Sequence, residues 1–374
     1  MQSFDRRNWL KKSGLLLSGF TIGNGLLARQ SNFTDDIWEA APDGQIIRIG
    51  QNENPYGPGP MARKAMMDAV INSNRYPSEL ATLLRERIAK AYNLTKDHVL
   101  LGAGSSELLG NTAALAAEKN GSNAVSGDPT FRLWFGAAEL FGLSIKKVPL
   151  TQDKVHDLDA MLKAMDAQTS MVYVVNPHNP TGTIVADSEM QSFAEKVTAK
   201  CLLLLDEAYT EYAGTTSLAP MVANNKNLVV AKTFSKIHGM AGARVGFVLA
   251  HPDTIKKLAA YQPWANAGPS AVSLAGALAA MDDLAFMQQT RQKNEAVRNY
   301  VTKEMNQLGL KVIPSYTSFI YYDSAAFKGD LAQVMTQANI MGVRTYENGS
   351  SWRRTSIGTM EEMQQFIKVL KANM

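Results

Sequence analysis

Between about residues 80 and 275, short apolar runs alternate with stretches of helical spacing, and this alternation restricts the fold more than any other feature of the chain. The runs include Met171 to Val175, Cys201 to Leu205 and Leu228 to Ala231, and Glu79 to Tyr92 has the helical pattern. Such alternation argues for βαβ units on a mostly parallel sheet. Gly246-Phe247-Val248-Leu249-Ala250 adds another strand, and a helical stretch from Met281 to Leu308 leads toward a second, smaller α+β domain. From about Ser31 to Asn74 the chain is rich in Pro, Gly and Asn, with closely spaced prolines at Pro55, Pro58 and Pro60, so an extended arm is predicted there. No internal repeat and no low-complexity linker interrupts this order.

The 374 residues are 45% hydrophobic, enough for a large core in one large domain or two unequal ones. Net charge is only +4, with Lys and Arg dispersed along the sequence, which argues against a nucleic-acid partner. Cys201 is the single cysteine and lies inside an apolar run, so an intrachain disulfide is excluded, a zinc cluster is not expected, and a small buried hydrophobe is.

The first residues follow another plan. Arg6-Arg7-Asn8-Trp9-Leu10-Lys11-Lys12 precedes an apolar, glycine-rich stretch from Gly14 to Ala28 that is too short for a membrane span. This is the layout of a signal peptide over residues 1–28. The paired arginines followed by an aromatic, Leu and Lys resemble the bacterial twin-arginine export signal, with Asp5 and Trp9 where Ser and Phe are more usual. The resemblance implies a periplasmic mature protein; without export it would be cytoplasmic.

Parallel sheets bind ligands beyond the carboxyl ends of their strands, which directs attention to polar residues just after apolar runs. Four such places stand out. Gly102-Ala103-Gly104-Ser105-Ser106-Glu107 follows Val99-Leu100-Leu101 and opens a helix, presenting free N–H groups to a phosphate, or simply turning the chain. Asn176-Pro177-His178-Asn179-Pro180-Thr181-Gly182 follows the second run, and the flanking prolines fix Asn179 on a rigid turn where it can donate to a ligand oxygen. His178 reads as a surface residue of that turn. Asp206-Glu207-Ala208-Tyr209 ends the third run, and a carboxylate there needs a cationic or hydrogen-bonded partner: a protonated pyridine nitrogen, a metal, a ribose hydroxyl or a structural group. Tyr209 shares the cleft or the core. Thr233-Phe234-Ser235-Lys236 ends the fourth, with Arg244 eight residues beyond Lys236. A lysine so placed becomes a nucleophilic amine if desolvation favours its neutral form, and Arg244 offers a fork for a phosphate. Lys232 competes for that role but is expected to face solvent from within the strand.

In this order the four places resemble the fold type I, class I/II aminotransferases, most closely the histidinol-phosphate aminotransferase group. The likeness extends to Asn52-Glu53-Asn54-Pro55-Tyr56, Arg75-Tyr76-Pro77 and Arg354-Thr355-Ser356-Ile357-Gly358-Thr359. It implies an α/β fold with a seven-stranded, mostly parallel sheet between helices in a large domain (76–280). An arm that also supplies part of the small domain (29–75) and the rest of a smaller α+β domain (281–374) would complete the molecule. It implies pyridoxal 5′-phosphate as cofactor, bound as a Schiff base to Lys236, which then moves the substrate Cα proton. Asp206 would pair with the pyridine nitrogen, Asn179 and Tyr209 with the ring 3′-oxygen, and Phe131 would stack on the ring where the group more often has Tyr. Ala103, Gly104, Ser105, Ser235 and Arg244 would hold the phosphate, with Tyr76 reaching in from the other subunit of a homodimer. Arg354 would grip the anionic group of the substrate, carboxylate or phosphate, aided by Tyr56 and Asn179; Arg344 and Arg353 are further cations of that region. A transaminase is therefore expected. A lyase, racemase or decarboxylase on the same fold is the enzymatic alternative, and a non-catalytic cofactor-binding protein the other.

Overall fold

The structure, a computed structural model, describes residues 46–374 apart from Asn120 and Asn348. The twin-arginine segment and the first part of the expected arm lie outside the described residues. A short strand, β1 (Ile47–Arg48), comes first. The main sheet is built from β2 (Val99–Ala103), β3 (Asn123–Asp128), β4 (Ser144–Pro149), β5 (Thr169–Val175), β6 (Leu202–Asp206), β7 (Leu228–Thr233) and β8 (Val245–Ala250). Its seven strands run in the order β2-β8-β7-β6-β5-β3-β4. β8 alone is antiparallel to its neighbours, so the other six end on the same edge. The second sheet begins with β9 (Lys311–Ile313) and β10 (Phe319–Asp323); β11 (Ile340–Met341) instead pairs with β1, and β12 (Arg344–Thr345) and β13 (Trp352–Ser356) complete the second sheet in the order β12-β13-β10-β9.

Helices α1 (Pro60–Ala69), α2 (Ser78–Ala91), α3 (Ser105–Ala117), α4 (Arg132–Leu140), α5 (Leu158–Ala164), α6 (Asp187–Thr198), α7 (Thr210–Ala213), α8 (Pro252–Ala259), α9 (Ala271–Ala280), α10 (Leu284–Gln307), α11 (Leu331–Gln337) and α12 (Met360–Ala372) connect and cover these strands. The uninterrupted apolar runs follow from the layering. Successive residues of a strand point to opposite faces, and here both faces are covered. Val172, Val174, Leu203 and Leu205 pack into one cluster with Leu84 and Ile88 of α2, Phe193 and Val197 of α6 and Leu274 of α9. Tyr173, Val175 and Leu204 pack into the opposite cluster with Leu108 of α3, Trp134 and Phe135 of α4 and Leu258 of α8. Each such side chain contributes about 1.5–3 kcal/mol through burial, which leaves no room for a polar stripe on the central strands. A third cluster joins the second sheet to α10 and α12 through Ile320, Tyr322, Val301, Met305, Phe366 and Leu370.

Two expectations need correction. The described part of the 31–74 segment is not simply extended, because α1 occupies residues 60–69. Pro60 begins that helix, where a missing N–H costs nothing. Lys232 does not face solvent: β7 lies inside the covered sheet, and Lys232 is only 4% exposed.

Candidate active site

The six parallel strands deliver the loops after β2, β3, β5, β6 and β7 to one edge of the sheet, where they enclose a cavity of about 630 Å³. Its lining includes Ser105, Ser106, Phe131, Asn179, Asp206, Tyr209, Ser235, Lys236, Arg244 and Arg354. Residues that begin up to several loops apart in sequence therefore meet at the place where a sheet of this kind binds ligands.

Lys236 follows β7 by a tight turn in which the Ser235 amide donates to Thr233 Oγ1 at 3.0 Å. Its ammonium donates to the Gln51 carbonyl at 3.2 Å and lies 5.8 Å from the Tyr209 ring centroid. Burial, reinforced by the nearby Arg354 charge, lowers the Lys236 pKa to about 8, so a sizeable fraction of neutral amine exists near neutrality. Asp206 ends β6 and is 3% exposed. The Ala208 amide donates to its Oδ1 at 3.1 Å and the Tyr173 hydroxyl to its Oδ2 at 3.4 Å. These hydrogen-bond partners are an amide and a phenol, not a cation, and burial pushes the carboxyl up to about 6.

Asn179 accepts from Arg354 Nη1 at 2.8 Å, which leaves its own amide protons to donate into the cavity. Arg354 is further fixed by Nη2 donating to the Gly50 carbonyl at 2.6 Å and by the Tyr346 ring 4.8 Å away, while its buried Nε has no partner. Tyr209 accepts from Asn52 Nδ2 at 2.9 Å and packs edge-on against Phe319. Burial holds its phenol protonated.

At the opposite end, Ser105 and Ser106 begin α3, whose first-turn N–H groups have no intrahelical acceptor. Arg244 donates to Ser106 Oγ at 2.9 Å and to the Ala241 carbonyl at 2.9 Å. A side chain on Gly104 would run into that guanidinium, and one on Gly246 into the Ser105 amide, so both glycines keep the turn open. The Ala103 amide is already committed to Glu107 Oε2 at 2.6 Å, and the Gly104 amide to the Gly102 carbonyl at 2.8 Å. Ala103 and Gly104 therefore shape the turn and donate nothing from their amides, and Ser106 takes the place that the sequence pattern gave to them.

Besides Ala103 and Gly104, the expected residues Tyr56 and Tyr76 stand outside the cavity lining. Tyr56 has the Lys293 ammonium 4.9 Å from its ring, and burial together with Glu361 and Glu362 raises its pKa to about 12. The preceding turn is held by Asn54, whose side chain accepts from the Tyr56 amide at 3.0 Å and donates to the Ile237 carbonyl at 2.9 Å. Tyr76 is 81% exposed, with its ring 5.0 Å from that of Trp264.

Among the arginines, Arg344 lines the cavity beside Arg354, its partner across β12 and β13. Arg353 points away and bonds the Ser350 and Trp352 carbonyls. His178 is not a surface residue: it is 1% exposed and bonds Thr181 and Thr130. Buried against His156, it is held neutral by desolvation. Lys232 is bound to Glu211 at 2.9 Å and to Thr210 Oγ1 at 2.5 Å. The Glu211 and Glu207 carboxylates outweigh its burial and hold it charged, which removes it as a nucleophile. Asn52, Tyr173, Ser106 and Tyr346 are the residues to which sequence reasoning gave no role; Ser106 had a signal in the glycine-rich turn that opens a helix, and Asn52 in a segment too proline-rich for regular structure.

An amine with a depressed pKa, a buried acid with no cation among its hydrogen-bond partners and a cup of helix N–H groups with an arginine fit a flat cationic ring carrying an aldehyde and a phosphate. The fold and cavity thus define a pyridoxal-phosphate enzyme. A family model of the aminotransferases of class I and II matches residues 44–370. The chain belongs to that family and is a pyridoxal-phosphate-dependent transaminase. It is 33% identical over 321 residues to a histidinol-phosphate aminotransferase of Halalkalibacterium halodurans, covering 85% of this chain and 86% of that protein. A histidinol-phosphate aminotransferase of Brevibacillus brevis is 33% identical, with 90% and 93% covered. The solved histidinol-phosphate aminotransferase of Sinorhizobium meliloti in complex with pyridoxal 5′-phosphate superposes with a TM-score of 0.81 at 25% identity, covering 92% and 99%.

Proposed function

We propose that this cavity moves an amino group between a 2-oxo acid and an amine bearing an anionic group, an amino acid or a histidinol-phosphate-like amine. The observation that carries the proposal is the pairing, in one cavity, of the Lys236 amine lowered to about 8 with the Asp206 carboxyl raised to about 6. When bound, the coenzyme supplies an electron-withdrawing ring that stabilises charge developing at the substrate Cα. Lys236 Nζ would anchor it, and as a free amine would take and return the substrate Cα proton. Asp206 keeps the ring nitrogen protonated. Asn179 and Tyr209 donate to the ring hydroxyl oxygen, and Phe131 covers one face of the ring. Ser105, Ser106, Ser235 and Arg244 hold the phosphate. Arg354 fixes the anionic end of the substrate, and its planar fork suits a carboxylate or a phosphate monoester.

Purified protein incubated with pyridoxal 5′-phosphate should develop a visible absorption band, and borohydride should place a stable label on Lys236. Lys236→Ala should lose the band and at least about a hundredfold in turnover; retained turnover, or a label on Lys232, sinks the assignment. Parallel assays of histidinol phosphate and ordinary amino acids against several 2-oxo acids identify the donor.

Supporting a homodimer, the large apolar side chains of Val70, Ile71, Tyr76 and Trp264 are exposed, and the Tyr76 and Trp264 rings touch. The dimer would bring Tyr76 to the partner's phosphate site. The proposal assigns residues 76–280 to the large domain, 281–374 to the small domain, and 29–75, of which residues 29–45 lie outside the described residues, to the arm and part of the small domain. Twin-arginine export to the periplasm is proposed from Arg6-Arg7 and the apolar stretch after them; activity confined to the cytosolic fraction of native cells would refute it.

A further inference from the structure

We propose that Tyr173 is a positioning residue that holds the Asp206 carboxylate ionised and aimed into the cavity, so that the acid meets the coenzyme ring as an anion. The inference rests on the pyridoxal-phosphate reading of the cavity. Tyr173 lies on β5, next to β6, with Tyr173 opposite Leu204 and Val175 opposite Asp206. It is fully buried in an apolar cluster, and Trp134 stacks on its ring at 4.6 Å. Phenylalanine would fill that space without bringing a hydroxyl to desolvate, and a buried hydroxyl is costly unless it is bonded. This hydroxyl has a destination, Asp206 Oδ2 at 3.4 Å.

The chemistry of the donor matters. Burial and the neighbouring Asp206 charge raise the Tyr173 pKa well above its ordinary value, so the phenol remains a donor and never becomes a competing anion. A neutral donor favours the ionised form of a carboxylate without supplying a counter-charge. A lysine or protonated histidine at this position would neutralise Asp206 in advance and weaken its hold on a ring proton. The other groups around Asp206 leave this arrangement intact. The Ala208 amide binds Oδ1, and the Lys236 amine and Tyr209 phenol face it from the cavity loops. The adjacent Glu207 is engaged elsewhere, by Ser217, the Leu218 amide and Lys232. Tyr173 and the Ala208 amide together occupy both carboxylate oxygens and fix the rotation of the group.

The test compares wild type with Tyr173→Phe, titrating the Asp206 carboxyl in cofactor-stripped protein by infrared difference against Asp206→Asn. The Asp206 midpoint should rise by about half a pH unit or more. The dissociation constant of pyridoxal 5′-phosphate should increase about threefold to tenfold, and kcat should fall while KM for the amino donor stays within about twofold. A folded Tyr173→Phe protein with an unmoved Asp206 midpoint overturns the proposal, whatever its melting temperature, because a merely structural tyrosine would change only the latter. Should the phenylalanine protein fail to fold, difluorotyrosine placed at 173 keeps the ring and strengthens the donor. It must then lower the Asp206 midpoint, and no shift overturns the proposal as well. Wild-type protein that takes up no pyridoxal 5′-phosphate would overturn the cofactor reading, whereas the titration judges Tyr173 separately.

Discussion

At the scale of the residue, one physical cause, removal from water, moves Lys236 down and Asp206 up, and both shifts make the groups less charged when the cavity is empty. The Asp206 shift has a consequence for stability. Its folded-state pKa of about 6 stands above the 3.8 of an ordinary aspartate. The acid therefore costs nothing below pH 3.8 and destabilises the empty protein progressively as pH rises through about 6, by no more than about 3 kcal/mol. Asp206→Asn should raise the melting temperature of cofactor-stripped protein at pH 8 and leave it nearly unchanged at pH 4, while weakening cofactor binding. A uniform gain at both pH values would show that burial of the charge is not the cause. Lys236, Asp206, Asn179 and Arg244 could be read in the sequence because each follows an apolar run or a turn at a fixed offset. Tyr173 could not, since it sits within such a run and looks like any other core aromatic. Lys232 was misread for a related reason: inside a strand covered on both faces, alternation gives no solvent side to which a lysine can turn.

At the scale of the element, the junction of β8 with α3 controls the phosphate turn. Gly246→Ala would press a methyl group into the Ser105 amide and displace the start of α3. Cofactor affinity should drop by at least about tenfold, since the amides that face the phosphate move with the helix. Gly136→Ala, in the exposed middle of α4 with open space around the site, should instead stabilise the protein by about 0.5–1 kcal/mol. Thermal melts and cofactor titrations of both variants separate the effects; unchanged affinity in Gly246→Ala would mean that the turn yields without cost. The strands were legible because a sheet covered on both faces writes itself as continuous hydrophobicity. The helix at residues 60–69 was hidden by its own proline, which forbids helix interiors but favours the first turn. The commitment of the Ala103 amide to Glu107 is a tertiary detail that spacing does not encode.

At the scale of the whole molecule, the proposed dimer would bring the exposed Tyr76, whose ring meets that of Trp264, to the phosphate end of the partner's cavity. Sedimentation should give a particle of twice the chain mass. Ile71→Asp, on a side chain 84% exposed in the single chain, should split it and reduce cofactor affinity at the same time. A fully active monomer would refute the proposed dimer. None of this could be read from periodicity, because an apolar residue on a subunit face carries the same pattern as one on a core face.

The contact between Arg354 and the Gly50 carbonyl joins positions 304 residues apart. A ring closed over so much chain forms late, since the entropy of bringing distant segments together must be overcome before their contacts stabilise anything. During synthesis, then, a chain still lacking its last strands has Lys236 and Asp206 but neither the arginine nor its bond to the Gly50 carbonyl. A product terminated before Arg354 would lack the residue proposed to fix the anionic end of the substrate.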